Sequence, residues 1–355
     1  MKAYIKSASG SIYDLEGKCL FLSVQDFTEK IIKNDNCFIC CLERNETNLE
    51  HVIPDWMLNE FNLTEKTITL FNKTTIKYNQ YKIPCCKNCN ALLGDYFEKP
   101  LSKIFKNGIN GLKEYIKECG VNKIFTYMCL LFLKTHLKDN YLRLHKDLRK
   151  PDTKIGEIIE WENFHHVFTV VRSFFSGASI EKQVIGSLLI FEASTFGNFE
   201  KFDYADDIEG ESIMLRMYNF VIICTLNDSS AGLQLLKPLL KRINGALSPI
   251  QARELFSRIS FYNLKLKNRP RYNTNFNFLT GDNSITVQLP ETGPILNDYT
   301  DEEFGEHLYK SLTNYHGEIM TPTGRESFDI IRKGKFTFIL NDDGNFISNI
   351  EAPSA

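Results

Sequence analysis

Apolar residues recur along this chain at two spacings, one helical and one strand-like. The first 28 residues read as short strands leading into a helix whose apolar positions include Phe27, Ile31 and Ile32. Residues 67–71 and 74–78 are rich in β-branched and aromatic side chains, the composition of a hairpin. Asn90 opens a helical segment that continues through Leu101 and Phe105 to Asn107-Gly108. Leu112, Tyr115 and Ile116, then Phe125, Met128, Leu131 and Phe132, predict two helices between residues 111 and 149. A break follows at Pro151. Beyond it, residues 184–191 and 213–226 read as buried strands, and residues 230–244 and 249–264 as helices. Ser248-Pro249 starts the second helix with a serine N-cap and a proline at its first position. Residues 301–315 predict one more helix and 335–340 one more strand. The class is α+β, without internal repeats. The expected division is a lead-in (1–28), an N-terminal domain (29–107), a helical connector (108–150) and a larger α/β or α+β domain (151–355).

Composition narrows the class. A chain of 355 residues has room for two or three domains, and its 43% hydrophobic and 24% charged content is that of a soluble globular protein. The start carries no apolar stretch of a signal peptide, and the apolar runs at 124–133 and 220–226 are too short to span a bilayer. Ten cysteines in so long a chain, several of them in metal-ligand spacing, argue for a reducing cytoplasm over a secreted disulfide scaffold. The net charge of −2 hides segregation. Basic residues, Arg253, Arg258, Arg269 and Arg271 among them, crowd positions 237–271 against Glu254 alone. Residues 200–211 are acidic. Such a basic stretch is either a phosphate-binding surface or the solvated face of a helix.

The candidate chemistry is concentrated in three short motifs. Cys37-Phe-Ile-Cys40 and Cys86-Lys-Asn-Cys89 are two Cys-x-x-Cys pairs, and four thiolates at that spacing fit a tetrahedral structural Zn²⁺. The doublets Cys40-Cys41 and Cys85-Cys86 leave the register open by one residue; Cys40 and Cys86 preserve the two-residue step. Cys19, Cys119, Cys129 and Cys224 read as core residues. Between the pairs stands Glu50-His51-Val-Ile-Pro54-Asp-Trp56. An imidazole titrating near neutrality can take a proton from water. The oxygens of Glu50 and Asn90 suit a hard cation such as Mg²⁺.

With these motifs, residues 30 to 106 resemble the HNH (ββα-metal, treble-clef) endonucleases, in the standalone form reading Cys-x-x-Cys, Glu-His-Val-Ile-Pro-x-Trp and Cys-x-x-Cys-Asn. The resemblance implies a zinc-stabilised nuclease domain in which His51 is the general base and Glu50 and Asn90 hold a catalytic Mg²⁺. The family usually has Asp where this chain has Glu50, so the arm here is longer. Its middle asparagine, which orients the histidine, has no clear counterpart, since Asn72 and Asn79 both lie in the hairpin. The resemblance also implies DNA as substrate and a restriction or anti-phage defence role. Control is expected from the C-terminal domain through a nucleotide second messenger or a regulatory protein, with Arg253, Arg258, Arg269 and Arg271 as contacts to DNA or nucleotide. The alternative is a catalytically inert zinc-finger module that binds nucleic acid or protein. Asp95 and Glu98, on the helix after Asn90, either add an oxygen ligand or belong to a solvated helix face, the favoured reading. His165-His166 matches no metal spacing.

Overall fold

The computed structural model describes residues 3–44, 46–70, 72–194, 201–312 and 325–348. The chain forms two compact units that interleave along the sequence. The first contains residues 1–104, 120–184 and 272–287; the second contains 105–119, 185–271 and 288–355. These units do not run along the expected linear division at 28, 107 and 150. The expected connector is shared out, its helix Gly108–Cys119 going to the second unit and the helix Asn122–Asp139 to the first. Strand pairing explains part of the exchange. The strand β8 (Ser179–Ile180) pairs in parallel with the strand Asn283–Gln288, although residues 185–271 of the other unit lie between them in sequence.

The first unit begins with a small antiparallel sheet of β1 (Tyr4–Lys6), β2 (Ile12–Asp14) and β3 (Cys19–Phe21). The helical segment after it is capped by Ser23, whose hydroxyl accepts from the Asp26 amide, and it buries Phe27, Ile31 and Ile32 as expected. Next come β4 (Thr47–His51), the hairpin of β5 (Thr67–Thr69) and β6 (Thr75–Lys77), and β7 (Lys82–Cys86). β4 and β7 form an antiparallel two-stranded ribbon in which Glu50 lies opposite Ile83 and His51 opposite Lys82. The helix α1 (Lys87–Leu93) follows and packs on both strands of the ribbon. It starts at Lys87 with Cys86 as N-cap, so Asn90 lies inside the helix and does not cap it.

Two further helices complete the core of this unit. The helix α2 (Asn122–Asp139) is buried around its whole circumference, which its continuous apolar composition demands. The helix α3 (His165–Ser176) packs along α2 and ends at Gly177, whose φ of 78° supplies the left-handed C-cap. Its Arg172 is buried and donates to the carbonyls of Ile39 and Cys19, both at 2.7 Å, which fastens the first cysteine pair to the N-terminal sheet. Tyr81 links ribbon to helix: its hydroxyl donates to Asp139 at 2.6 Å.

The second unit is built on a four-stranded antiparallel sheet in the order β10 (Phe202–Asp207), β11 (Ser212–Met217), β12 (Phe220–Thr225), β9 (Leu188–Glu192). Every residue of β11 and β12 is buried, and the expected single strand at 213–226 is thus a tight hairpin. The helices α4 (Ala231–Leu240) and α5 (Pro249–Lys265) cover it, with Met214, Val221, Ile223, Leu255 and Ile259 among the core. A capping box between Ser248 and Gln251 starts α5, in agreement with the sequence. The helix α6 (Asp301–Ser311) has a second such box, between Thr300 and Glu303, and ends with Leu312 as C-cap; residues 313–315 of the helix expected to 315 lie outside the described residues. The strand expected at 335–340 is reduced to an isolated bridge between Leu340 and Phe346. Among the described residues no helix is long and apolar enough to cross a membrane.

Candidate functional site

The two cysteine knuckles converge because the second lies at the junction of β7 and α1 while the first is held in a turn. Cys41, at φ 64°, closes that turn by donating its amide to the Cys37 carbonyl at 2.8 Å. The sulfurs of Cys37, Cys40, Cys86 and Cys89 all lie within 4.8 Å of one another. A tetrahedron with arms of about 2.3 Å has edges of about 3.8 Å, and the Cys40 and Cys86 sulfurs are 3.9 Å apart. The Cys37 thiol is strongly lowered by hydrogen bonds from Cys40, Cys85 and Cys89, while Cys40 is pushed up to about 12, chiefly by its bond to Cys37. One thiolate is tolerated without a cation, and four need one. These four residues can hold a structural metal such as zinc. Cys85 stays outside the four, although its sulfur is 3.8 Å from that of Cys37.

The Glu50-His51 step occupies the end of β4. Here the alternation of the strand is inverted. Leu49 is 55% exposed and Glu50 only 6%. A buried carboxylate requires a partner. It finds one in Lys134 of α2, fully buried, whose ammonium donates to Glu50 Oε1 at 2.7 Å and to the His51 carbonyl at 2.7 Å. Lys134 was not legible as a site residue, because nothing local marks one lysine in an apolar helix as the mate of a distant glutamate. Glu98, expected as either an oxygen ligand or a solvated residue, lies beside Glu50 and Lys134. It is not on a solvated face: burial pushes its carboxyl up to about 7, opposed by the Lys134 ammonium and reinforced by the Glu50 charge. Asp95 does face solvent, in an exposed pair with Lys99. The buried phenol of Tyr127, faced by the Trp56 indole, borders the same group.

His51 is half-buried, and its pKa is lowered, first by burial and then by the ammonium of Lys82 across the ribbon. The imidazole is therefore neutral at physiological pH and can accept a proton. Asn90 is half-buried on α1, the helix packed on β4. Neither hairpin asparagine is committed to His51. Asn72 serves its own turn, accepting from the Thr74 amide and hydroxyl and donating to the Arg143 carbonyl, and Asn79 donates toward Glu65. His165 bonds the Leu22 carbonyl and His166 stacks on Tyr272, consistent with packing roles.

The four arginines do not form one exposed contact surface. Arg253 is buried in a bidentate pair with Asp203, at 2.8 and 2.5 Å, and also donates to the Tyr204 and Ser311 carbonyls. Arg258 pairs with the fully buried Glu254 and lies over the Phe304 ring. Arg269 and Arg271 are exposed, Arg269 donating to the Asn263 carbonyl. Arg253 of the basic stretch thus pairs with Asp203 of the acidic one inside the second unit, whereas Arg258 and Lys265 pair with Glu254 and Glu303; Glu200 lies outside the described residues. Comparisons of this chain with models of known protein families, with curated proteins and with solved structures return no match.

Proposed function

We propose that the first unit hydrolyses phosphodiester bonds in DNA, with His51 as general base, and that the second unit controls it in a restriction or defence setting. The observation that carries this reading is the position of His51. A neutral, half-exposed imidazole stands at the end of a two-stranded ribbon, beside a buried carboxylate and between two cysteine knuckles, with a helix packed on the ribbon. In the reaction, His51 takes a proton from water, the resulting hydroxide adds to phosphorus, and the bond to the 3′ oxygen breaks, that oxygen leaving with a proton from solvent.

The resemblance implies a Mg²⁺ held by Glu50 and Asn90. Such an ion, when bound, stabilises charge on the phosphate. Glu50 as it stands does not fit that task, because one oxygen is bonded to Lys134, Glu98 faces the carboxyl, and its side chain is 8% exposed. No step is routed through the ion. That same saturation favours a second reading, a zinc-stabilised module that binds nucleic acid or protein without cutting. Incubating zinc-loaded protein with plasmid, with and without added Mg²⁺, separates the two. Under the first reading His51→Ala lowers cleavage by about 10²–10⁴-fold while zinc content and DNA binding persist. Wild-type protein that binds plasmid and never nicks it, under either condition, favours the second.

A further inference from the structure

We infer that Lys134 is the built-in cation of the Glu50–His51 site, and that this site takes no divalent metal through Glu50. The inference begins with the inverted strand. β4 turns an acid inward and a leucine outward, an arrangement that is stable only if a positive charge waits inside. That charge comes from α2, 84 residues further along the chain, on a lysine with no solvent exposure. An ammonium has three protons to donate and no lone pair. One goes to the Glu50 carboxylate and another to the carbonyl of His51, so a single group fixes both the acid and the backbone of the neighbouring imidazole. Lys134 touches no solvent and hence no substrate, which makes it a positioning residue.

Magnesium and manganese ask for something different. Mg²⁺ requires near-octahedral oxygen ligands at about 2.0–2.1 Å and keeps several waters. Around Glu50 there is already a cation at hydrogen-bond distance, and the carboxyl is almost closed to water. A second cation has to repel the ammonium or evict it, and eviction strands a buried charge without a partner. Among the described residues the group of His, Cys and acidic side chains that can hold a metal is the cysteine cluster, and Glu50 is not in it.

The inference concerns the same site as the proposed function but does not depend on cleavage, since its test reads ion binding. Zinc-loaded full-length protein is titrated with Mn²⁺ and free ion is followed by electron paramagnetic resonance, for wild type, Glu50→Gln, Lys134→Met and the double variant. Zinc content and far-ultraviolet circular dichroism report folding. Wild type and Glu50→Gln are expected to bind Mn²⁺ equally weakly. Lys134→Met, which leaves Glu50 and Glu98 facing without a cation, is expected to gain a site at least about tenfold tighter, lost again in the double variant. Lys134→Arg keeps the charge and is expected to behave as wild type. A wild-type site that weakens by about tenfold or more in Glu50→Gln overturns the inference. If Lys134→Met does not fold, the wild-type and Glu50→Gln pair decides. If Glu50→Gln also fails, a wild-type site as tight as about 0.1 mM overturns it and its absence upholds it. Loss of cleavage in none of the variants leaves this result standing and bears only on the proposed function.

Discussion

Both units bury ion pairs, and they complete them in different ways. In the second unit the buried Arg253–Asp203 and Arg258–Glu254 pairs are closed by several hydrogen bonds each. Asp203 receives both arms of Arg253, and Glu254 accepts from Arg258, the Thr337 hydroxyl and the Phe338 amide. In the first unit two carboxyls, Glu50 and Glu98, converge on one ammonium beside a histidine at the edge of solvent. The complete sets fix a core, and their residues have nothing left to offer a ligand. In the incomplete set, burial raises the Glu98 carboxyl to about 7, close to neutral pH. Burial of charge is thus common to structure and chemistry, and the excess of one sign at a half-open position distinguishes them.

The sharpest way to break the comparison is to remove the metal. Cys86→Ser takes away one of four thiolates, and the loss of a structural zinc site of this type is worth on the order of 10 kcal/mol. The first unit is expected to lose its protection from hydrogen exchange and about one zinc per chain, while the second unit keeps its own; equal loss in both sinks the contrast. Next in size is Arg253→Met in the second unit. Breaking a buried pair from one side costs about 3–5 kcal/mol, and chemical denaturation should show it without any change in zinc content. A loss of zinc there instead indicates that the arginine supports the other unit.

Acid should act on the first unit through His166. Burial lowers its pKa to about 3 from the ordinary 6.5. Between these values the unfolded chain carries the proton and the folded chain does not, so stability is full above pH 6.5 and is lost as pH falls toward 3. The loss between pH 8 and pH 5 is about 2 kcal/mol. Glu98 and Asp139, raised to about 7 and about 6, work in the opposite sense, each favouring the folded state as pH falls. The difference between wild type and His166→Phe isolates the histidine, and denaturation midpoints that shift in parallel at pH 5 and pH 8 refute it. The smallest effect is expected for Cys85→Ser. A hydroxyl in place of a buried thiol costs about 1–3 kcal/mol and should leave zinc in place; metal loss equal to that of Cys86→Ser exchanges the roles of the two cysteines.

Much of this molecule was legible because it is local. The Cys-x-x-Cys spacing places two sulfurs on one turn, the hairpin at 67–78 follows from its β-branched residues, and the cap of α5 is set by Ser248, Pro249 and Gln251 within four positions. Each depends on the backbone geometry of a few neighbours, so a single sequence determines it. The tertiary structure alone decided the rest. It gave Glu50 a lysine 84 residues away, gave Arg253 an aspartate 50 residues away, and joined residues 272–287 to the first unit. Charge counting along the chain cannot find such partners, because a buried charge is matched by whichever opposite group the packing brings to it, and packing is a property of the whole fold.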